Sequence, residues 1–148
     1  CAADQGIAYL NLAGITCTNK LANSDLSGVT LYPGVYCTGG PGALTLKATN
    51  LYLDAQGDSN AQFVFQMATT LITSTNTKII LLNGALVKNI YWQVGSSATL
   101  GGNSVFKGQI LAYASISADV GVNAQGRLYA QAAVSFAGAA AVALPYQC

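Results

Sequence analysis

The chain contains no histidine and no glutamate, which removes most of the side chains that enzymes use for acid–base chemistry. A Ser, Thr or Cys nucleophile would have no histidine base beside it. A glycosidase needs two facing carboxylates, and Asp119 with Asp54 or Asp58 is the one conceivable pair. The composition therefore predicts that the protein is not an enzyme.

Charge is also scarce, since only 7% of the 148 residues are charged, against roughly 25% in ordinary soluble domains. The few lysines and the single arginine are scattered and the net charge is +1, which argues against nucleic-acid binding. No apolar run approaches the ~20 residues of a membrane-spanning helix. The loop from Asp54 to Asp58 lacks the further ligands of a calcium loop. We therefore predict no metal, no cofactor and no membrane span.

The four cysteines are Cys1, Cys17, Cys37 and Cys148, and none forms a Cys-x-x-Cys pair. A zinc site would need all four as thiolates, so two disulfides are the better interpretation. Of three conceivable pairings we favour Cys17–Cys37 with Cys1–Cys148, because the second bridge would tie the chain ends together. Disulfides indicate an oxidising compartment, and a first residue other than Met suggests a removed signal peptide. We expect a secreted protein.

A short pattern recurs along the second half of the chain. Apolar strands begin near Ile90, Gly108 and Gly126, and each is followed by a strand of small residues. The last two units are offset by 18 residues, from Gly108 to Gly126. A fixed offset predicts a coil that stacks on itself. Turn residues recur so often that three short strands fit each coil, which predicts a triangular β-solenoid.

Before the strands, residues Ala2 to Ala13 are the one predicted helix, with Ile7, Leu10 and Gly14 on one face. Asn19 to Gly28 is predicted to be a polar loop. We expect a single mainly β domain over residues 1–148, with the helix at about 2–14 and the solenoid at about 29–144.

Inward side chains of successive coils are predicted to stack in columns, because each coil buries its apolar row only against its neighbours. Three columns are expected: Leu100, Ile116 and Val134; Phe106, Val122 and Ala140; Trp92, Leu111 and Tyr129.

Several segments match the motifs of a known family in order, from about residue 2 to residue 140. They include L-Y-P-G-V-Y at 31–36, L-D-A-Q-G-D at 53–58, F-V-F-Q at 63–66, K-N-I-Y-W-Q-V-G at 88–95 and F-K-G-Q-I-L-A at 106–112. The chain thus resembles the DUF3494 type of ice-binding (antifreeze) protein. The resemblance implies a discontinuous right-handed β-solenoid with one helix packed alongside, secretion, and adsorption to ice and ordered water through a flat solenoid face.

We place the candidate ice face on four strands, near residues 70–72, 99–101, 115–117 and 134–136. The outward positions are small or apolar: Thr70, Ile72, Thr99, Gly101, Ser115, Ser117, Ser135 and Ala137. Threonine does not recur regularly among them and Asp119 sits near the plane. Ordinary solvent-facing strand residues would have the same composition.

A structural role is the alternative. Members of the resembled family carry a longer N-terminal segment before the helix, which supplies further solenoid strands, whereas this sequence begins at the helix. An uncovered coil end is adhesive, and head-to-tail contacts that do not close produce filaments. Either the Cys1–Cys148 region caps a shorter solenoid, or another copy stacks on it as a subunit of an extracellular filament or adhesive layer. The Ala-rich tail from Ala137 to Leu144 and the low charge motivate the second hypothesis.

Overall fold

A computed structural model describes residues 2–39, 42–138 and 141–143, with side chains from residue 6 to residue 138. One α-helix precedes a series of short strands, and a 3-10 turn lies at Val87–Asn89. The elements are α1 (Ala2–Ala13), β1 (Asn19–Leu21), β2 (Thr30–Leu31), β3 (Gly34–Thr38), β4 (Leu44–Leu46), β5 (Leu51–Asp54), β6 (Phe63–Met67), β7 (Leu71–Thr73), β8 (Ile79–Leu82), β9 (Ile90–Val94), β10 (Ala98–Leu100), β11 (Val105–Lys107), β12 (Gln109–Ala112), β13 (Ser115–Ala118), β14 (Asn123–Gln125), β15 (Leu128–Ala130), β16 (Ala133–Phe136) and β17 (Ala141–Ala143).

The described strands pair in parallel and form the three sides of a solenoid. The first sheet has the order β1-β3-β6-β9-β12-β15, and the second has the order β4-β7-β10-β13-β16. The third side consists of β2-β5-β8 and β11-β14-β17, which a bridge between Lys78 and Val105 joins. Each sheet takes one strand per coil, so the mainly β solenoid with one helix is confirmed.

Helix α1 has the predicted bounds, but it presents a different face to the sheet. Ile7 and Leu10 are 59% and 68% exposed, whereas Tyr9 and Leu12 are half-buried. Tyr9 and Leu12 share a face because residues three apart are neighbours on a helix. The Gln66 side-chain amide on β6 donates to the carbonyls of Leu12 (2.6 Å) and Ile15 (2.7 Å), two of the carbonyl groups at the C-terminal end of the helix. These bonds attach the helix end to β6, and Tyr9 packs against Tyr113 with ring centroids 5.9 Å apart.

The prediction of a polar loop from Asn19 to Gly28 is wrong in part, because this segment also contains a strand. Asn19–Leu21 forms β1 and pairs with β3, and Asp25 bridges to Thr45. Its pairing partners lie on other coils, which no local pattern reveals. Cys17 and Cys37 form the predicted disulfide, with S–S 2.01 Å and Cα–Cα 5.9 Å. The predicted Cys1–Cys148 bridge lies outside the described residues.

The core columns differ from the predicted ones in register. Leu100 lies opposite Ala118, whereas Ile116 lies between Ala98 and Val134. A slip of two residues keeps a side chain on its face but changes its partner. Phe106 lies opposite Ala124 rather than Val122, and Ala140 lies outside the described residues.

The third predicted column mixes two faces of the first sheet. Trp92 lies opposite Ile110, whereas Leu111 lies opposite Gln93 and Tyr129. A slip of one residue reverses the face. Leu111 is buried on the outer side of this sheet, where α1 contacts β12.

Aromatic rings stack along the inner side of the first sheet. The ring centroids of Tyr36 and Phe65 are 5.5 Å apart, and those of Phe65 and Trp92 are 3.9 Å apart with planes within 8°. Trp92 also contacts Phe106 at 5.2 Å, and its indole N–H donates to the Lys107 carbonyl. Each such pair contributes about 0.5–1.5 kcal/mol beyond area burial. The stack ties the coils of β3, β6 and β9 into one rigid core.

Candidate functional site

The second sheet presents the predicted candidate residues, and we call its outer surface the Thr–Ser face. Its strands β4, β7, β10, β13 and β16 carry one aligned central row of outward residues: Thr45, Ile72, Thr99, Ser117 and Ser135. Their neighbours Leu71, Ala98 and Ile116 are buried, so strand alternation points the row to solvent. Adjacent members are separated by the strand spacing of about 4.7–4.9 Å. The row is therefore a ladder with one rung per coil.

A second outward row precedes the central one. It contains Thr70, Ser97 and Ser115, which lie on successive coils. The Leu71 N–H, next to Thr70, donates a hydrogen bond to the Ser97 carbonyl, and the Ser115 N–H donates one to the Ser97 hydroxyl (3.3 Å). Ser115 in turn lies opposite Ala133. These hydroxyl-bearing residues are half-buried, so they border the central row at a slightly lower level.

Gly101 and Ala137 lie at the corner where the strands of this sheet end. The Gly101 N–H donates to the Thr73 carbonyl (2.8 Å), and the Ala137 N–H donates to the Ala118 carbonyl (2.8 Å). A Cβ on Gly101 would lie 2.5 Å from that Thr73 oxygen, so glycine is present because two backbones approach closely. Asp119 occupies the equivalent corner on the coil between them, and its carboxylate accepts a hydrogen bond from the N–H of Val120 (2.8 Å). Its carboxylate is thus engaged by its own turn at the margin of the face.

The structure brings the eight predicted positions onto one sheet and its corner. Ile72, Thr99, Ser117 and Ser135 fall in a single row, and Thr70 and Ser115 flank it. Two residues were missed: Thr45 in the central row and Ser97 in the flanking row. The alternation Leu44-Thr45-Leu46, which matches Ala98-Thr99-Leu100, was the signal for Thr45.

The Thr–Ser face carries small uncharged side chains, with Ile72 as the largest and 41% exposed. The Ser135 hydroxyl donates to the Ser117 hydroxyl at 3.4 Å, and the Thr45 hydroxyl donates to the Ser24 carbonyl at 3.3 Å. These bonds restrict the side chains at both ends of the row. Because these side chains are already restricted, less conformational entropy is lost when the face binds a ligand.

The other two sides of the solenoid are less regular. Helix α1 covers part of the first sheet through contacts with β6, β9 and β12. The third side carries the bulky Tyr52 and Ile80 opposite each other, and the Lys107 ammonium donates to the Gln125 amide oxygen at 2.8 Å. Neither side is an uncovered plane of small residues.

One end of the Thr–Ser face is closed by a polar cap beside β4. The Ser27 hydroxyl and N–H donate to the Asp25 carboxylate at 2.6 and 3.0 Å, and the Lys47 N–H donates to the Ser27 hydroxyl at 2.8 Å. The Ser27 hydroxyl bond lowers the pKa of Asp25, and the nearby Lys47 charge adds to the effect. The cap occupies backbone groups that an exposed edge strand would otherwise offer to another chain.

Two other kinds of feature are absent from the described part of the chain. It contains no cluster of three or more potential metal-ligating side chains. Nor does it contain a helix with the length and apolar character needed to cross a membrane. A shallow groove of about 290 Å³ lies between α1 and the first sheet, beside Tyr9, Gln66 and Gln93. Its lining also includes Ala68 and Gly95, at the corner where the first sheet leads into the second.

The comparison with known families agrees with this geometry. The family model described as "Ice-binding-like" matches residues 1–141. The chain belongs to the ice-binding-like family. An ice-binding protein of Nostoc is 45% identical over 129 residues, which are 86% of this chain and 46% of that protein. Ice-binding protein 1 of Shewanella frigidimarina is 35% identical over 131 residues, which are 86% of this chain and 14% of that protein.

Solved members of the ice-binding-like family share the fold. The crystal structure of an ice-binding protein from the Antarctic ascomycete Antarctomyces psychrotrophicus matches with a TM-score of 0.90 and 36% identity, covering 98% of this chain and 70% of that one. The DUF3494 domain of the Shewanella frigidimarina protein matches with a TM-score of 0.88 and 32% identity, covering 95% of this chain and 60% of that one. The chain spans about half the length of the Nostoc relative. These relatives are ice-binding proteins.

Proposed function

We propose that this chain binds ice, and that the Thr–Ser face is the adsorbing surface. The observation that carries the proposal is the in-register row from Thr45 to Ser135, which runs across five coils on a side that α1 leaves uncovered. The named relatives support ice as the ligand.

The physical basis is repetition on a rigid plane. Parallel pairing repeats the row at about 4.7–4.9 Å, which is close to a repeat of oxygen atoms in hexagonal ice. Hydroxyls can hydrogen-bond ordered water, and methyl groups can fit between those waters. Each atomic contact contributes only about 0.1–0.2 kcal/mol, but many act together on a surface that does not deform. The row itself contains no charged residue, and Asp25, Lys47 and Asp119 lie only at its margins. Strongly hydrated ions within the row would disrupt an ice-like layer.

Thr99→Tyr tests the proposed surface, since a bulky ring at the centre of the row would hold the plane away from ice. The matched control is Thr30→Tyr, because Thr30 is an exposed strand residue on the third side of the solenoid. We expect Thr99→Tyr to lower partitioning into slowly grown ice at least about tenfold, a free-energy loss of about 1.4 kcal/mol, and Thr30→Tyr to leave it unchanged. Thermal melting should show both variants folded.

The outcomes distinguish a wrong ligand from a wrong adsorbing surface. Wild-type protein that stays wholly in the liquid would disprove ice binding by this chain. Thr99→Tyr protein that is folded and still enters ice like the wild type would show that a different surface adsorbs.

We also propose that the protein acts outside the cell. The Cys17–Cys37 disulfide supports this, since such bonds persist in oxidising compartments. Detection of the protein in the culture medium rather than in the cell extract is the test.

The filament hypothesis remains a prediction. The named relatives give it no support, although Val134 and Phe136 on the edge strand β16 are each 37% exposed. Sedimentation velocity of the native protein at high concentration tests it, and a strict monomer would contradict it.

A further inference from the structure

Two glycines flank β10, the central strand of the Thr–Ser face, and both lie against the backbone of the preceding coil. A Cβ on Gly95 would overlap the Ala68 carbonyl group. A Cβ on Gly101 would lie 2.5 Å from the Thr73 carbonyl oxygen and 2.6 Å from the Ser74 carbonyl carbon. These neighbours are backbone atoms, which cannot rotate aside as a side chain can.

Neither glycine is required by its own backbone conformation, because neither has a positive φ. Both are hydrogen-bonded to the coil that they touch: the Gly95 N–H donates to the Met67 carbonyl (2.9 Å), and the Gly101 N–H donates to the Thr73 carbonyl (2.8 Å). The absence of a side chain is therefore what lets β10 sit at hydrogen-bonding distance from the coil of β7 at both of its ends.

We infer that Gly95 and Gly101 are positioning residues for ice adsorption: they set the height and spacing of Thr99 relative to Ile72. This inference rests on the proposed function and adds a role to Gly101 that differs from contact with ice. Real Cβ atoms essentially never come closer than 3.0 Å to such atoms. An alanine at Gly101 must therefore part the two coils by at least about 0.5 Å, the difference between 2.5 and 3.0 Å. Packed interiors transmit such shifts rather than absorb them.

A matched control exists on another side of the solenoid. Gly126 precedes β15 of the first sheet, and a Cβ there would overlap the Gly108 carbonyl group. Gly126 also has a φ of +133°, so alanine is strained there in addition. Gly126→Ala should destabilise the fold at least as much as Gly101→Ala, but it does so away from the Thr–Ser face.

The experiment compares Gly95→Ala, Gly101→Ala and Gly126→Ala. Thermal melting measures their stability, and circular dichroism near the freezing point shows whether they are folded in the cold. Fluorescently labelled protein on a single-crystal ice hemisphere then shows which crystal planes each variant adsorbs to. All three variants should melt below the wild type and remain folded in the cold. We expect Gly95→Ala and Gly101→Ala to lose about tenfold in adsorption or to decorate different planes, and Gly126→Ala to decorate the wild-type planes. A general loss of stability would not produce this difference.

Folded Gly101→Ala protein that decorates the wild-type planes at wild-type strength would overturn the inference. If Gly101→Ala does not fold, Gly95→Ala carries the test, since its Cβ would meet the backbone of the same preceding coil at Ala68. Unchanged adsorption by folded Gly95→Ala would then overturn the inference. Failure of both variants to fold near the freezing point would also overturn it, because the glycines would then be required for the fold rather than for the placement of Thr99. Loss of adsorption in Thr99→Tyr together with full adsorption in Gly101→Ala would disprove the positioning role alone, whereas full adsorption in Thr99→Tyr would disprove the proposed face.

Discussion

Replacing both Cys17 and Cys37 by serine is expected to lower the free energy of unfolding by about 3 kcal/mol. The two residues are 20 positions apart, and a bridge stabilises mainly by limiting the freedom of the unfolded chain. A closed loop of about 15 residues contributes about 3 kcal/mol in this treatment, and the contribution rises only slowly with length. The bridge joins the segment after α1 to β3, so its loss also frees the connection that holds the helix end.

Thermal unfolding followed by circular dichroism measures the effect. At about 2–4 °C for each kcal/mol in a chain of this size, the midpoint should fall by about 6–12 °C. The single variants Cys17→Ser and Cys37→Ser serve as controls, and each should lose nearly as much as the double variant because either one removes the whole bridge. A double variant that melts within about 2 °C of the wild type would refute the chain-entropy reasoning.

Three further substitutions probe particular contacts. Ser104→Ala should leave stability unchanged or raise it by about 1 kcal/mol in a melting experiment, because the buried Ser104 hydroxyl has no hydrogen-bond partner among the residues that the structure describes; a clear loss would show that it is satisfied in solution. Gln66→Ala removes two bonds to the helix end and should cost about 1–3 kcal/mol, with earlier hydrogen exchange in α1 than in the sheets; uniform exchange would contradict this. The pKa of Asp25 is lowered by folding, so its bonds stabilise the fold above the carboxyl's ordinary pKa, and this contribution is lost as the pH falls through the lowered pKa. Asp25→Asn should therefore flatten the acid side of the stability profile, and an unchanged profile would refute the assignment.

The repeating pattern made much of the fold predictable. The offset from Gly108 to Gly126 is the true coil repeat, since β12 pairs with β15 at that offset. Helix α1 was predicted with its correct bounds because its residues favour helix locally and Gly14 ends it. The positions of the strands could also be predicted from the sequence, since turn residues interrupt the short apolar runs at each corner of the solenoid.

The candidate site was only partly predictable. Thr99, Ser117 and Ser135 could be placed on one sheet because they occupy equivalent positions of successive repeats. Thr45 was missed because its coil precedes the regular repeats. Gly101 was assigned to the surface, although its position reflects a close backbone approach that no single strand reveals.

The sequence by itself determined the solenoid class, the helix and the family, whereas it left three cysteine pairings open and the structure shows the favoured Cys17–Cys37 bridge. The class, the helix and the family depend on composition, alternation and motif order, which are properties of short stretches of chain. The tertiary structure alone decided which side chains stack, which face of α1 is buried and how the rows of the Thr–Ser face align. Tyr9 rather than Ile7 lies toward the sheet, and Leu100 lies opposite Ala118, because hydrogen bonds and packing between coils set those relations. Residues that are distant in sequence meet only once the coils are stacked, and a shift of one or two residues changes every partner without changing the local pattern.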